Sequence, residues 1–107
     1  MHRFEVAGAA IAYEVVGSGD PVVFVHGLGS SSRDWERQVD VFAADHQVIA
    51  VDLRGHGTSD KPPGPYSIGL FCDDVAGLIE HLDIAPASVV GISLGGMVAF
   101  QLAADHP

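Results

Sequence analysis

The chain has 107 residues, 48% of them hydrophobic and 18% charged, with a formal net charge of −9. That length holds one domain, its apolar content excludes a disordered tail, and no apolar run reaches the roughly 18 residues a membrane span needs. So acidic a balance repels phosphate backbones and anionic lipids, so neither nucleic acid nor a membrane is an expected partner.

Met1-His2-Arg3-Phe4-Glu5 leads into a strand-like stretch rather than the apolar centre of a signal peptide. A single cysteine, Cys72, can form no disulfide within the chain. Together these point to a reducing, cytoplasmic setting. The six histidines show no H-x3-H or C-x2-C spacing, so no metal is expected.

Arg3–Val6 and Ile11–Val15 alternate in character around Ala7-Gly8-Ala9 and predict an antiparallel hairpin. A turn cluster, Gly17 to Pro21, precedes Val22-Val23-Phe24-Val25, an unbroken apolar run that reads as a strand buried on both faces. Residues 32–44 turn helical, with Trp35, Val39 and Phe42 on one face. Val48–Val51 is a second buried strand, followed by a Gly- and Pro-rich loop from Asp52 to Pro65. Ser67 is placed to cap a helix with Phe71, Val75, Leu78, Ile79 and Leu82 on its apolar stripe and Asp73, Asp74, Glu80 and His81 away from it. Ser88-Val89-Val90 is a third short strand. The helix beginning at about Leu94 is apolar on every side from Met97 to Ala104, Gln101 excepted.

Strands alternating with helices after an opening hairpin predict an α/β fold with a mainly parallel sheet. Chemistry in such sheets gathers at the carboxyl ends of the strands, which here release three loops: 26–31, 52–65 and 91–95. The last contains Gly91-Ile92-Ser93-Leu94-Gly95, a G-x-S-x-G pattern between a strand and a helix. A serine there sits on a turn too sharp for side chains two positions to either side, so Gly91 and Gly95 relieve the clash and its hydroxyl stands above the sheet. Ser93 is therefore the candidate nucleophile. Acyl chemistry also needs two N–H donors for the developing oxyanion. Leu94 N–H opens the helix, and Leu28 N–H, within His26-Gly27-Leu28-Gly29, is the second candidate. In Asp52-Leu53-Arg54-Gly55-His56-Gly57-Thr58-Ser59 the residue types suggest a rigid turn, with Asp52 and Arg54 satisfied locally.

These three motifs, in this order, resemble the α/β-hydrolase superfamily, and within it the small esterase, enol-lactonase and cofactor-free haloperoxidase group. The resemblance runs through the whole chain. It implies a five-stranded, mostly parallel sheet opened by an antiparallel hairpin, with about three helices. The hairpin strands come first, then those at 48–51, 22–25 and 88–90. It also implies attack by Ser93 on a small ester or lactone, an acyl-enzyme, hydrolysis by water, and no cofactor.

In that family the acid and the histidine follow the serine in the chain. Here only Asp105 and His106 follow Ser93, and a continuous helix would carry His106 roughly 20 Å away, beyond the reach of a general base. The expectation is thus a single half-size domain, 1–107, holding the nucleophile and oxyanion hole but lacking the acid and base. Activity would be slow, with a base drawn from His56, the preferred in-chain candidate, from His26, or from a neighbouring chain's histidine. His26 reads first as a structural residue that hydrogen-bonds loop backbone, and only second as a base. The strand at 88–90 would be left as an edge and the helix at 94–106 uncovered, which predicts a homo-oligomer formed through them. A non-catalytic half-domain that self-assembles, or complements a missing half, is the alternative. A dinucleotide site is a remoter one: Gly27-Leu28-Gly29-Ser30-Ser31-Ser32 with Asp52 echoes G-x-G-x-x-G, but Ser32 stands where the third glycine belongs.

Overall fold

A computed structural model describes residues 2–106; Met1 and Pro107, the two ends of the expected 1–107 domain, lie outside that range. Strands β1 (His2–Val6) and β2 (Ala9–Val16) pair antiparallel around Ala7 and Gly8. Both turn residues have positive φ, 46° and 82°, as a two-residue hairpin turn matched to strand twist requires. Strand β2 pairs antiparallel with β4 (His46–Val51). Strand β4 runs parallel to β3 (Asp20–Val25), and β3 parallel to β5 (Ser88–Gly91). The sheet order β1-β2-β4-β3-β5 is the one the resemblance implies.

The pleat sorts alternate residues of each strand onto opposite faces. Val23 and Val25 of β3, with Ile49 and Val51 of β4, face the larger core beneath α2 (Ile68–Leu82) and α3 (Leu94–Asp105). Val22, Phe24, Val48 and Ala50 face the other way, towards α1 (Glu36–Phe42) and the 3₁₀ turn Ser32–Trp35 before it. The helix expected over 32–44 is therefore a 3₁₀ turn followed by a short α-helix. Trp35 stacks on Phe24 at 4.8 Å between ring centres. Val39 is buried, but Phe42 remains 40% exposed, because a seven-residue helix cannot cover that face of the sheet.

Helix α2 begins as expected. The Ser67 hydroxyl accepts the Leu70 N–H at 3.0 Å, and Phe71, Val75 and Leu78 are buried. Asp74 corrects the expectation: it is buried, not turned away from the apolar stripe. Helix α3 buries Gly95, Val98 and Leu102 against the sheet and α2, while Met97 is 56% and Phe100 82% exposed. Val90 and Ile92 extend this apolar face, and β5 pairs with β3 alone, which makes it an edge. No helix among the described residues is long and apolar enough to cross a membrane.

Candidate active site

The carboxyl ends of β3, β4 and β5 bring the three loops together. At the end of β5, Ser93 has φ 54° and ψ −116°, a conformation that costs a non-glycine residue on the order of 1–3 kcal/mol. Its neighbours leave no alternative. A Cβ on Gly91 would overlap the Gly95 carbonyl and stand 2.6 Å from Gly96 N. A Cβ on Gly95 would overlap the Val25 carbonyl and stand 2.7 Å from His26 O. The helix start thus lies directly on the end of β3. Gly95 N–H closes the turn onto Ile92 O at 2.9 Å, and Ile92 N–H reaches Val25 O at 3.3 Å. Ser93 is exposed, and its hydroxyl does not cap the helix it precedes.

The 26–31 loop lies against this elbow. The position a Gly27 Cβ would take is 3.5 Å from Ser93 Cβ and 3.5 Å from Ile92 O. Leu28, next along, is 77% exposed. Among the described residues, neither Leu28 N–H nor Leu94 N–H donates to a protein acceptor outside regular elements. The loop that carries Leu28 thus lies against Ser93, and Leu94 follows Ser93 at the start of α3.

His26 is fully buried, and both its nitrogens are engaged. Nε2 accepts the Leu53 N–H at 2.9 Å, which sets the tautomer, and Nδ1–H donates to Gly27 O at 2.7 Å. No lone pair remains to take a proton from Ser93, so the structural reading of His26, hydrogen-bonded to loop backbone, holds, and its lesser reading as a base gives way. Its ring ties the β3 loop to the β4 loop. His56 donates Nδ1–H to Arg54 O at 2.9 Å and makes no hydrogen bond through Nε2 among the described residues. Its ring centre is 4.9 Å from that of His26 and 6.0 Å from that of Phe71.

Asp52 joins the same two loops a second time. Its carboxylate accepts Ser32 N–H at 2.7 Å and both the N–H and hydroxyl of Thr58 at 3.0 Å. The Ser59 hydroxyl then donates to Asp52 O and accepts Ala12 N–H, fastening the loop to β2. Asp52 is held only partly locally: Thr58 is six positions away, but Ser32 is twenty, and the Arg54 side chain has no local partner among the described residues. Its guanidinium forms a two-point pair with Asp74 of α2, 2.9 Å on each arm, and donates to the Val6 and Ala7 carbonyls of the hairpin. Asp74 was the residue missed. Its signal was the helical spacing itself: Asp74 follows Phe71 by three and precedes Leu78 by four, so it shares their inward face.

Burial and the nearby His56 push the His26 imidazole below its ordinary value, outweighing the Gly27 hydrogen bond. Burial pushes the Asp52 carboxyl up, but hydrogen bonds from Thr58 and Ser32 together outweigh it and hold the group below its ordinary value. For His26 the unfolded chain binds the extra proton first as pH falls, so stability is full above about pH 6.5 and declines below it. The Asp52 contribution persists until about pH 4 and is lost below that. Urea denaturation at about pH 7.5, 6 and 5 checks the first window; stability that stays constant across it would contradict the buried, neutral His26.

Of the residues singled out from the sequence, the fold brings the Gly91–Gly95 elbow with Ser93 and Leu94 against the loop that carries Leu28, and sets His26 beside His56 where the β3 and β4 loops meet. It does not bring His106 to this elbow. That residue follows the far end of the 12-residue helix α3, about 20 Å along its axis from Ser93.

A family model described as the alpha/beta hydrolase fold matches residues 20–107. Among curated relatives, 3-oxoadipate enol-lactonase 2 of Acinetobacter baylyi is 38% identical over 100 residues, covering 92% of this chain and 38% of its own. A soluble epoxide hydrolase of Corynebacterium is 36% identical over 105 residues, 98% of this chain and 37% of its own. Among solved structures, Est816, described as an N-acyl homoserine lactone degrading enzyme, superposes with a TM-score of 0.96 at 42% identity. That match covers 99% of this chain and 41% of Est816. The enol-lactonase of Burkholderia xenovorans gives 0.93 at 35% identity, over 98% of this chain and 42% of its own. This chain therefore spans well under half the length of the proteins it matches. The family match nevertheless takes in β3, β4, β5, every helix and all three loops of the site, and on that footing the chain belongs to the α/β-hydrolase fold family.

Proposed function

We propose that the chain is the nucleophile-bearing part of a serine hydrolase acting on small carboxylic esters or lactones. One observation carries this: Ser93 is held in a strained conformation with its hydroxyl uncapped, against a loop whose Leu28 N–H is uncommitted. Ser93 Oγ attacks the acyl carbonyl, and Leu28 and Leu94 N–H receive the oxyanion. The alcohol departs, and water hydrolyses the acyl-enzyme without a cofactor. The lactonases among the relatives support the substrate class. The acid and base of the full triad lie outside residues 1–107 on this reading. Within the chain His56, whose Nε2 makes no hydrogen bond, is the better placed of the two loop histidines. Turnover by this chain alone is accordingly slow, in the range that an oxyanion hole and binding sustain without a triad, about 10³–10⁴ over water. A setting in the cytoplasm suits its one buried cysteine.

The test is hydrolysis of a short nitrophenyl ester alongside labelling by a fluorophosphonate. Ser93→Ala is expected to abolish labelling and to lower hydrolysis by at least about tenfold, since it removes the nucleophile but not the oxyanion donors. Equal rates in both proteins would overturn the reading.

The apolar face of Val90, Ile92, Met97 and Phe100 favours a second reading, compatible with the first: a half-domain that associates through the β5 edge and α3. Light scattering that gave a single species of 11.2 kDa at micromolar concentration would remove it.

A further inference from the structure

Cys72 and Asp73 on α2 meet His106 at the end of α3. One donor atom from each, the thiol sulfur, a carboxylate oxygen and an imidazole nitrogen, lies within 4.8 Å of the other two. His106 Nε2 is 3.9 Å from Asp73 Oδ1, too far for a hydrogen bond, so both donors are uncommitted towards each other. The burial is graded. Cys72 is 0% exposed, whereas the Asp73 and His106 side chains are 71% and 49% exposed. Asp73 and His106, but not Cys72, line a groove of about 1000 Å³ between α2 and α3, which opens these two donors to solvent.

A thiolate, an imidazole and a carboxylate are a donor set suited to a borderline divalent cation, zinc above all; calcium and magnesium take oxygen donors instead. Zinc bonds of about 2.3 Å to sulfur and 2.0–2.2 Å to nitrogen and oxygen place tetrahedral donors about 3.2–3.8 Å apart. Closing the cluster to that spacing moves donors by about 1 Å or a little more. The two exposed side chains are free to make that movement while Cys72 stays packed. The local field has the right sign. The carboxylates of Asp73 and Asp105 stand near Cys72, and their negative charge attracts a cation.

We propose that Cys72, Asp73 and His106 form a three-ligand site for zinc or a similar borderline cation, with water completing the coordination. Binding releases the Cys72 proton to solvent and clips the end of α3 to α2. The site stands at the opposite end of α3 from Ser93 and is independent of the ester reading. Short-range spacing led to the expectation of no metal, because His106 is 34 positions beyond Cys72 and only helix packing brings it to Cys72 and Asp73.

Chelator-treated protein is titrated with zinc and, for spectroscopy, with cobalt. The expected result is one ion per chain, a thiolate-to-cobalt charge-transfer band with tetrahedral visible bands, and a Tm raised by about 5 °C or more when free zinc exceeds Kd about tenfold. Asp73→Asn and His106→Gln change exposed side chains and leave the fold intact by circular dichroism. Each weakens zinc binding by about tenfold or more, and Cys72→Ala removes the charge-transfer band. Wild-type affinity in His106→Gln and Asp73→Asn would place the ion on other histidines and overturn the proposal. So would a cobalt spectrum without thiolate character, or an equal Tm rise with magnesium or calcium.

Discussion

Gly95→Ala is expected to destabilise the protein by about 3 kcal/mol or more, a fall in Tm of roughly 12 °C or more for a domain of this size. The atoms that a new methyl would meet are backbone: the carbonyl of Val25, and His26 O at 2.7 Å. Backbone cannot rotate away as the tip of a side chain can. Relief requires either α3 to lift from the sheet, exposing Val98 and Leu102, or β3 to shift. Strand β3 is hydrogen-bonded to β4 on one side and β5 on the other, so its shift disturbs both ladders. Gly27→Ala is the matched control. Its added methyl meets its nearest atoms at 3.5 Å, an ordinary contact, and should change stability by less than about 1 kcal/mol. Thermal melts of the two variants side by side make the comparison; an unchanged Tm for Gly95→Ala would show the elbow to be far more pliable than its packing implies.

Asp74→Ala should cost about 3–5 kcal/mol, because it strands a buried charge. The Arg54 and Asp74 side chains are 6% and 1% exposed. The hydrogen bond to Asp74 raises the Arg54 guanidinium further above its ordinary value, against the effect of burial. A guanidinium is too basic to deprotonate in a protein, so removing Asp74 leaves the charge in place. Without Asp74 it keeps only the carbonyls of Val6 and Ala7. Replacing both partners with apolar residues, Arg54→Met with Asp74→Leu, removes the stranded charge and should recover most of the loss. Urea denaturation of the single and double variants measures this as a coupling energy. Strict additivity would mean that the pair contributes nothing as a pair. The functional consequence is positional: Arg54 binds the 52–65 loop to both the hairpin and α2, and that loop carries Asp52, which holds the 26–31 loop through Ser32.

Much of this architecture was legible in the sequence because it is written at short range. The runs at 22–25 and 48–51 are too apolar for anything but strands buried on both faces. Ser67 stands where a helix needs a cap. Gly91 and Gly95 flank Ser93 at the spacing a tight strand-to-helix turn demands, and the structure shows the backbone contacts that demand it. The 3₁₀ turn at Ser32–Trp35 was less legible. Ser32 N–H is drawn to the Asp52 carboxylate 20 positions away, and the helical pattern of 32–44 carries no sign of that bond.

The sequence by itself determined the order of elements, the loops that gather at one sheet edge, and the place of the serine, since each follows from spacing within a few residues. The tertiary structure alone decided which polar groups are held by distant partners. It committed both nitrogens of His26 to the loops, paired the inward Asp74 with Arg54, and set Cys72 and Asp73 beside His106. The physical reason is the same throughout: a buried polar group must find a partner, and in a sheet crossed by helices that partner stands on a different element, tens of positions along the chain.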